Sequence, residues 1–166
     1  AAAVLVVARI GVNVADSNVI DIGLAGVVGA DRIEHGQELY EGDFAPPGID
    51  LRGDVYGPAN YLAYVPFEEA FPWSGQWDEV PAAHAAAIAF DLLTALVLLL
   101  AGRVLRRDRE GNALGVALAF AWLACPWTLY AMNASANDSL VALLVAGALA
   151  ALGSPALRGA LLALAT

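Results

Sequence analysis

The sequence predicts an all-α fold: a polytopic transmembrane helical bundle with a large extracytoplasmic first loop that carries short interfacial helices. Hydrophobic residues make up 60% of the 166 residues and charged residues only 15%, whereas a soluble globular domain is about 45–50% apolar and about 25% charged. The apolar residues fall into long runs. One polar segment between the runs holds 13 of the 17 acidic residues. Long apolar runs separated by polar segments are typical of a chain that crosses a membrane several times.

Charge and cysteine content exclude several other classes of protein. The formal net charge of −9 opposes binding to the phosphate backbone of a nucleic acid. The high hydrophobicity excludes an intrinsically disordered chain. Cys125 is the only cysteine, so the chain cannot build an internal disulfide framework or a cysteine-based zinc site. We therefore expect a membrane protein that has membrane lipids, and no nucleic acid, among its partners.

Five apolar runs are candidates for membrane-spanning helices. A hydrocarbon core of about 30 Å needs about 20 helical residues. The first run, 1–14, is predicted to be the end of a first transmembrane helix, and further helices are predicted at about 81–105, 112–132 and 138–153, with the start of another at 157. Because both chain ends fall inside apolar runs, we expect an N-terminal piece of a longer polytopic protein.

The segment 15–80 is predicted to be an extracytoplasmic loop. It is acidic and contains nine of the 14 aromatic residues. The spacing of its apolar residues predicts two short helices, at 21–35 and 58–71, which would lie flat on the membrane. Pro66 should kink or end the second helix. A compact loop of irregular turns is the alternative.

The arginines predict how the chain is oriented. Four of the eight arginines lie within 103–109, and Arg158 lies between the fourth and fifth runs. Short loops rich in arginine stay in the cytoplasm. The acidic segment 15–80 and the polar turn 133–139 should then share the outer side of the plasma membrane, which we take to be a bacterial inner membrane.

Polar residues next to the apolar runs are the candidates for chemistry. Asp21 follows the first run, beside Ile20 and Ile22, and a carboxyl group near an apolar surface has a raised proton affinity that suits a general base. A helix cap or a solvated acid is the alternative. Asp91 lies near the middle of the second run, on the same helical face as His84. These two residues either line a wet cavity, or Asp91 pairs with a side chain from another run.

Arg9, in the first run, is one possible partner for Asp91. Asn137 and Asp138 belong to the polar turn, and the apolar run that follows them is only about 20 Å long as a helix. Either the turn is recessed and these two residues lie in an outer cavity, or the helix continues past Gly153. The sequence holds no Gly-rich phosphate loop and no His/Cys cluster at metal-ligand spacing. We therefore predict no metal site.

Four segments resemble the actinobacterial membrane glycosyltransferases of family 87, which include the polyprenol-phosphate-mannose-dependent mannosyltransferases. These segments are VIDIGLAGVVGADRIEHGQELY, DVYGPANYLAYVPFEEAFPWSGQWD, PAAHAAAIAFDLLTALVLL and CPWTLYAMNASANDSLVALL. The family has the GT-C architecture, with many transmembrane helices and a large first extracytoplasmic loop. The resemblance covers nearly the whole chain, which would be about the N-terminal third of such an enzyme.

The family commonly shows an Asp after its first span, a Gly and a Tyr some residues later, and a Tyr-Pro-Pro-like element. In this sequence the similar positions are Asp21, Gly36, Tyr40 and the tripeptide 56–58. The tripeptide departs from the family pattern, because Gly57 stands where the first Pro is expected.

The resemblance implies an inverting hexosyltransferase of the cell envelope. It would transfer a mannose-like sugar from a polyprenyl-phosphate donor to a hydroxyl of a glycolipid or glycan acceptor at the extracytoplasmic face, with no cofactor besides this donor. Asp21 would be the catalytic base. The residues predicted to bind substrate are Arg9, Tyr56, His84, Asp91, Asn137 and Asp138.

Two other functions stay open at the level of the sequence. A transporter or flippase would use Asp91 and His84 as a proton or substrate path, although the chain shows no internal repeat. A non-catalytic scaffold subunit is the third alternative.

Overall fold

The computed structural model describes residues 2–40, 55–77 and 80–165, apart from the side chain of Arg109. Over these ranges the fold is all-helical, which confirms the all-α part of the predicted class. The helices are α1 (Ala2–Asp16), α2 (Asp21–Glu34), α3 (Pro58–Ala70), α4 (Pro81–Leu105), α5 (Arg109–Ala124), α6 (Pro126–Asn133), α7 (Asp138–Ala150) and α8 (Pro155–Leu164).

Among the described helices, only α4 is by itself long and apolar enough to cross a membrane. It has 25 residues, as the sequence predicted. The pair α1 and α2, bent by 82°, and the pair α5 and α6, bent by 58°, meet the same criterion only if each is counted as one broken span. The helices α7 and α8 are apolar but have only 13 and 10 residues. The described chain therefore contains between one and three candidate spans.

The segment predicted as a transmembrane helix at about 112–132 consists of two helices with a bend of 58° between them. Helix α5 ends at Ala124 and α6 begins at Pro126. Proline has no N–H to donate, and its ring disfavours helical geometry in the residue before it. The hydroxyl of Thr128 donates to the carbonyl oxygens of Trp122, at 2.7 Å, and Cys125, at 3.0 Å. The same two carbonyl oxygens also accept from the backbone N–H groups of Cys125 and Leu129, at 3.2 Å each, so the two helices are bonded to each other across the break.

The two short helices predicted in the acidic segment are present as α2 and α3, and Pro66 lies inside α3 without ending it. The residues 23–30 of α2 are all buried. The rings of Tyr61 and Tyr64 lie directly on Gly29 and Gly26, and a Cβ atom at residue 26 would come within 2.7 Å of the Tyr64 ring. Helix α2 is therefore part of the core, whereas the sequence predicted a helix lying on the membrane.

Helix α4 connects the two halves of the fold. Its first half packs against α2 and α3, where the rings of Tyr64 and Phe67 each meet Phe90 edge-on with centroids 5.5 Å apart. Its second half packs against α5, and a Cβ atom on Gly102 would collide with the backbone of Gly115. Small residues allow this close approach of two helices, a common device where helices pack in a membrane.

Candidate functional site

Arg9 and Asp91 form a buried ion pair in the middle of the helices. The Nε of Arg9 donates to Oδ2 of Asp91 at 2.9 Å, and its Nη2 donates to Oδ1 at 2.6 Å. The two residues are only 2% and 0% exposed. Oδ1 also accepts from the indole Nε1 of Trp122 at 2.9 Å, while Nη1 of Arg9 donates to the carbonyl of Leu123 at 3.1 Å. This network joins α1, α4 and α5.

Of the two alternatives for Asp91, the structure has the one in which Asp91 pairs with a side chain from another run, and that partner is Arg9. Planar two-point contacts between a guanidinium and a carboxylate are strong, and removing one partner from a buried pair costs about 3–5 kcal/mol. Neither charge is exposed to a ligand in this arrangement. A substrate-binding role for Arg9 or Asp91 would therefore require the pair to open.

His84 continues the same line of polar contacts. Its Nδ1 lies 3.1 Å from Oδ1 of Asn13, and Nδ2 of Asn13 donates to the carbonyl of Met132 at 2.7 Å. Asn13 is fully buried. His84 and Asp91 therefore share one face of α4, as their spacing predicted, and that face is turned toward α1.

The segment after α1 is bonded to the polar turn 133–139. The N–H of Ile20 donates to the carbonyl of Ala134 at 3.1 Å, and the hydroxyl of Ser17 donates to the carbonyl of Asn133 at 2.6 Å. The side-chain amide of Asn133 returns a bond to the carbonyl of Asp16 at 3.1 Å. The beginning of the acidic segment and the polar turn therefore lie together.

The polar turn is recessed along α4. The hydroxyl of Thr94 donates to the carbonyl of Ser139, in the first turn of α7, at 3.0 Å. Thr94 stands thirteen residues after the start of α4 at Pro81, about 20 Å along that helix. Helix α7 ends at Ala150. Of the two alternatives for this region, the helix that continues past Gly153 is therefore wrong, and a turn that lies below the membrane surface stays a prediction.

Next to this turn, a cavity of about 410 Å³ lies between the start of α3, the start of α7 and the end of α8. Its polar wall contains Tyr56, Asn60 and Asn137. The side-chain amide of Asn137 donates to Oδ1 of Asn60 at 3.0 Å. Its apolar wall consists of leucine, valine and alanine side chains, among them Leu140, Val141, Leu144 and Leu164. The cavity is therefore amphipathic.

The phenol of Tyr56 experiences two negative charges. Burial raises the pKa of Tyr56, and the carboxylates of Asp21 and Asp138 raise it further. Asp21 is exposed, stands first in α2, and its Oδ1 accepts from the N–H of Ile22 at 3.0 Å. The phenol of Tyr56 thus experiences the charges of two carboxylates that are at least 35 positions away in the sequence.

Tyr40 also belongs to this region. Its hydroxyl donates to the carbonyl of Tyr56 at 3.2 Å, and the N–H of Tyr56 donates to the hydroxyl of Tyr61 at 3.3 Å. Gly57 and Pro58 line the cavity. Of the positions at which the sequence resembles the family, Tyr40 and the tripeptide 56–58 therefore lie in contact with each other.

Two residues of this region were not predicted from the sequence. Asn60 and Tyr64 are buried, and the Nδ2 of Asn60 and the hydroxyl of Tyr64 have no hydrogen-bond partner among the described residues. In the sequence, Tyr64 looks like an ordinary core residue on an aromatic helix face. Nothing else in the sequence marks it as part of a site. The only signal for Asn60 is an amide in the first turn of a helix, a position that amides commonly occupy.

A second, larger cavity of about 880 Å³ lies between α1, α4 and α5. Its walls are almost entirely apolar and include Val6, Leu96 and Phe120. None of the residues predicted to bind substrate lines it. This cavity has the surface expected for contact with lipid chains or other apolar helices, and it offers little to a polar substrate.

In the part of the chain that the structure describes, no three His, Cys, Asp or Glu side chains are grouped to hold a metal ion. Comparisons with models of protein families, with curated proteins and with solved structures find no match for this chain. Over the described residues, fold and site define the class: an all-helical arrangement with at least one helix of membrane-spanning length and an amphipathic cavity with Tyr56, Asn60 and Asn137 on its polar wall. The likeness to family 87 rests on the four sequence segments alone.

Proposed function

We propose that this chain belongs to an integral membrane glycosyltransferase that transfers a mannose-like sugar from a polyprenyl-phosphate donor to an acceptor hydroxyl at the extracytoplasmic face. The observation that carries the proposal is an amphipathic cavity lined by Tyr56 and Asn137, with the charges of Asp21 and Asp138 acting on Tyr56 at its edge. The resemblance of four segments to family 87 supports the same assignment. The proposed donor and acceptor each consist of a sugar attached to a lipid. Their binding site therefore needs one polar wall and one apolar wall.

The chemistry needs few groups. A sugar linked to a lipid phosphate loses that phosphate as an anion, so no general acid is needed. The acceptor hydroxyl needs a base, and in this proposal the exposed carboxylate of Asp21 accepts its proton. Attack at C1 on the face opposite the departing phosphate inverts the configuration there.

The departing phosphate also needs positive charge nearby. Arg9 can provide it only if Arg9 leaves Asp91, because its guanidinium is bonded to that carboxylate. We therefore assign Arg9 and Asp91 to holding α1 against α4 and α5. His84 is half-buried and bonded to Asn13, and it is the candidate that remains from the sequence for contact with the phosphate.

The proposed location is the bacterial plasma membrane, with α4 as a spanning helix. Arginines lie at the C-terminal end of α4 and just after it. They favour a cytoplasmic location for this end of the helix. Asp21, which begins α2, and the cavity at the start of α3 lie toward the other half of α4, because α2 and α3 pack against that half. The cavity would therefore open on the extracytoplasmic side, where a lipid-linked donor is accessible.

The direct test is the substitution Asp21→Asn in the complete protein. Membranes that contain the variant should transfer labelled sugar from the polyprenyl-phosphate donor at least about 100-fold more slowly, since general base catalysis contributes about 10²–10⁴-fold. Asp16→Asn is the matched control, because it removes an exposed carboxylate at the end of α1. Equal activity in the Asp21→Asn variant and the parent protein would reject the assigned role.

The buried polar line that runs from Arg9 and Asp91 to Asn13 and His84 favours one alternative, a transporter or flippase. Ionisable groups at depth commonly mark ion or substrate paths. Substrate flux into liposomes that contain the protein but no donor lipid would support this alternative, and sugar transfer that depends on Asp21 would contradict it.

A further inference from the structure

The amphipathic cavity between α3, α7 and α8 holds a buried polar group that lacks a partner. Asn60 lines the cavity and is only 9% exposed. Its Oδ1 accepts from the amide of Asn137, but its Nδ2 donates to no atom in the described parts of the chain. Buried amide groups are nearly always hydrogen-bonded. A ligand oxygen in the cavity would satisfy this one.

The electrostatics of the cavity disfavour an anionic ligand. Its lining residues, as far as the structure describes them, are all uncharged. The charges that act on Tyr56 at its edge come from two carboxylates, Asp21 and Asp138. A phosphate group placed there would be repelled by both carboxylates, and because both are exposed to water, solvent weakens this repulsion without reversing its sign.

The helix ends around the cavity do not reverse this preference. The first turns of α3 and α7 line the cavity, and the start of a helix attracts negative charge. Asp138 stands in the first turn of α7 and compensates its positive end, whereas α3 has no acidic residue in its first turn. At the start of α3, Pro58 has no N–H to donate and the N–H of Asn60 donates to the carbonyl of Gly57 at 3.0 Å, so few N–H groups are left there for an anion. A hydroxyl group suits the cavity better, since it can accept from the Asn60 amide and donate to a carbonyl or carboxylate oxygen.

The apolar wall adds a second requirement on the ligand. Leu140, Val141 and Leu144 extend along α7, and Leu164 closes the cavity from α8. A volume of about 410 Å³ is in the range of small-molecule sites. An alkyl chain would bury apolar surface along this wall, while a hydroxyl-rich ring would occupy the end near Asn60 and Asn137.

We propose that this cavity binds the uncharged saccharide headgroup of a glycolipid, with Asn60 and Asn137 bonded to its hydroxyl groups and its lipid chain along α7 and α8. The inference rests on the proposed function and deepens it: the cavity takes the glycolipid acceptor, and the phosphate-bearing end of the donor lies elsewhere. Asn60 is then a residue that determines specificity for a neutral headgroup.

The test uses this chain in nanodiscs of neutral phospholipid and follows ligand binding by saturation-transfer NMR. Octyl glucoside below its micellar concentration is the probe, and octyl phosphate is the charged counterpart with the same chain. We expect octyl glucoside to bind and octyl phosphate to bind at least about tenfold more weakly. Equal or tighter binding of octyl phosphate to the unmodified chain would overturn the proposal, and this comparison needs no variant.

The substitution Asn60→Leu keeps the size of the side chain and removes its amide. It should weaken binding of octyl glucoside about tenfold, as expected for the loss of one or two hydrogen bonds. Asn112→Leu is the matched control, because Asn112 lines the apolar cavity between α1, α4 and α5. Circular dichroism establishes that both variants are folded. Unchanged affinity in the Asn60→Leu variant would overturn the proposal.

This experiment separates the inference from the proposed function. In one outcome, octyl glucoside binding depends on Asn60 but sugar transfer by the complete protein does not depend on Asp21. This outcome would support the cavity as a binding site and reject the proposed enzyme mechanism. Transfer that depends on Asp21, without binding of octyl glucoside, would support the enzyme and reject the cavity as its acceptor site.

Discussion

The ion pair of Arg9 and Asp91 and the amide pair of Asn60 and Asn137 are both polar contacts between distant parts of the chain, yet they differ in completeness. Both oxygens of the Asp91 carboxylate have partners, which come from Arg9 and Trp122. The amide pair has one hydrogen bond, and the Nδ2 of Asn60 has no partner within residues 2–40, 55–77 and 80–165. The ion pair lies among packed helices, whereas the amide pair borders a cavity.

This difference separates a structural role from a binding role. A buried polar network with all its bonds made fixes one arrangement of the helices that supply it. A buried donor without a partner lowers stability, and it is retained most readily where a ligand completes its bonding. Four experiments can break or sharpen this contrast, and they follow in order of expected effect.

The largest effect is expected from Asp91→Ala, which leaves the guanidinium of Arg9 buried without its partner. The free energy of unfolding should fall by about 3–5 kcal/mol, measured by denaturant titration followed by circular dichroism. The double variant Arg9→Met with Asp91→Leu should recover much of that loss, because it leaves no unpaired charge. Parent-like stability of the Asp91→Ala variant would show that the pair does not hold the helices together.

A smaller loss of stability is expected from Gly29→Ala, which tests what positions α3 and, with it, Asn60. The new methyl group collides with the ring of Tyr61, and such overpacking costs about 1–3 kcal/mol. Gly11→Ala in α1 is the control, because a Cβ atom there meets nothing within 4 Å. That change should leave stability unchanged or raise it by up to about 1 kcal/mol. A harmless Gly29→Ala would mean that α2 and α3 separate easily.

The substitution Tyr64→Phe should have the opposite sign. It removes a buried hydroxyl that has no partner in the described structure, so the free energy of unfolding should rise by about 1 kcal/mol. Tyr61→Phe is the matched control and should be destabilising, because the hydroxyl of Tyr61 accepts from the N–H of Tyr56. Thermal unfolding of the two variants, measured side by side, tests this assignment. An equal loss of stability in both variants would contradict it.

The smallest effect concerns the titration of Tyr56. Because burial and then the charges of Asp21 and Asp138 raise the pKa of this phenol, the folded state binds its proton more tightly than the unfolded state. The resulting stability is complete below about pH 10 and is lost as the pH rises through the higher pKa of the folded state. Ultraviolet titration, with Tyr56→Phe as the reference, should show a lower pKa of Tyr56 in Asp21→Asn. An unchanged pKa would place Asp21 too far away to share a site with Tyr56.

Much of the helical pattern was predictable because it depends on local composition. The uninterrupted apolar run around Asp91 predicted α4 with both of its ends, and periodic apolar residues predicted α2 and α3 within one or two positions. The break at Pro126 was missed because the apolar run continues across it, and the burial of α2 was missed because it depends on two tyrosines of another helix.

The candidate site was predictable only in part. Asp21, Asn137 and Asp138 are polar residues next to apolar runs, a pattern that any reading of hydropathy detects. Their proximity to Tyr56 depends on how α2, α3 and α7 pack. The sequence signal of Asn60, an amide in the first turn of a helix, is common to many helices. Its importance comes from a missing partner among the described residues and from an adjacent cavity, and both exist only in the folded chain.

By itself the sequence determined the all-helical class, the membrane-length helix α4 and the concentration of acidic residues in one segment, since each of these is a property of neighbouring residues. Only the tertiary structure decided that Arg9 is the partner of Asp91, that the polar turn is recessed to the level of Thr94, and that the cavity lies at Asn60. The physical reason is range: hydropathy and helical period act over a few residues, whereas pairing and cavities depend on contacts between segments that are 40 to 120 positions apart in the sequence.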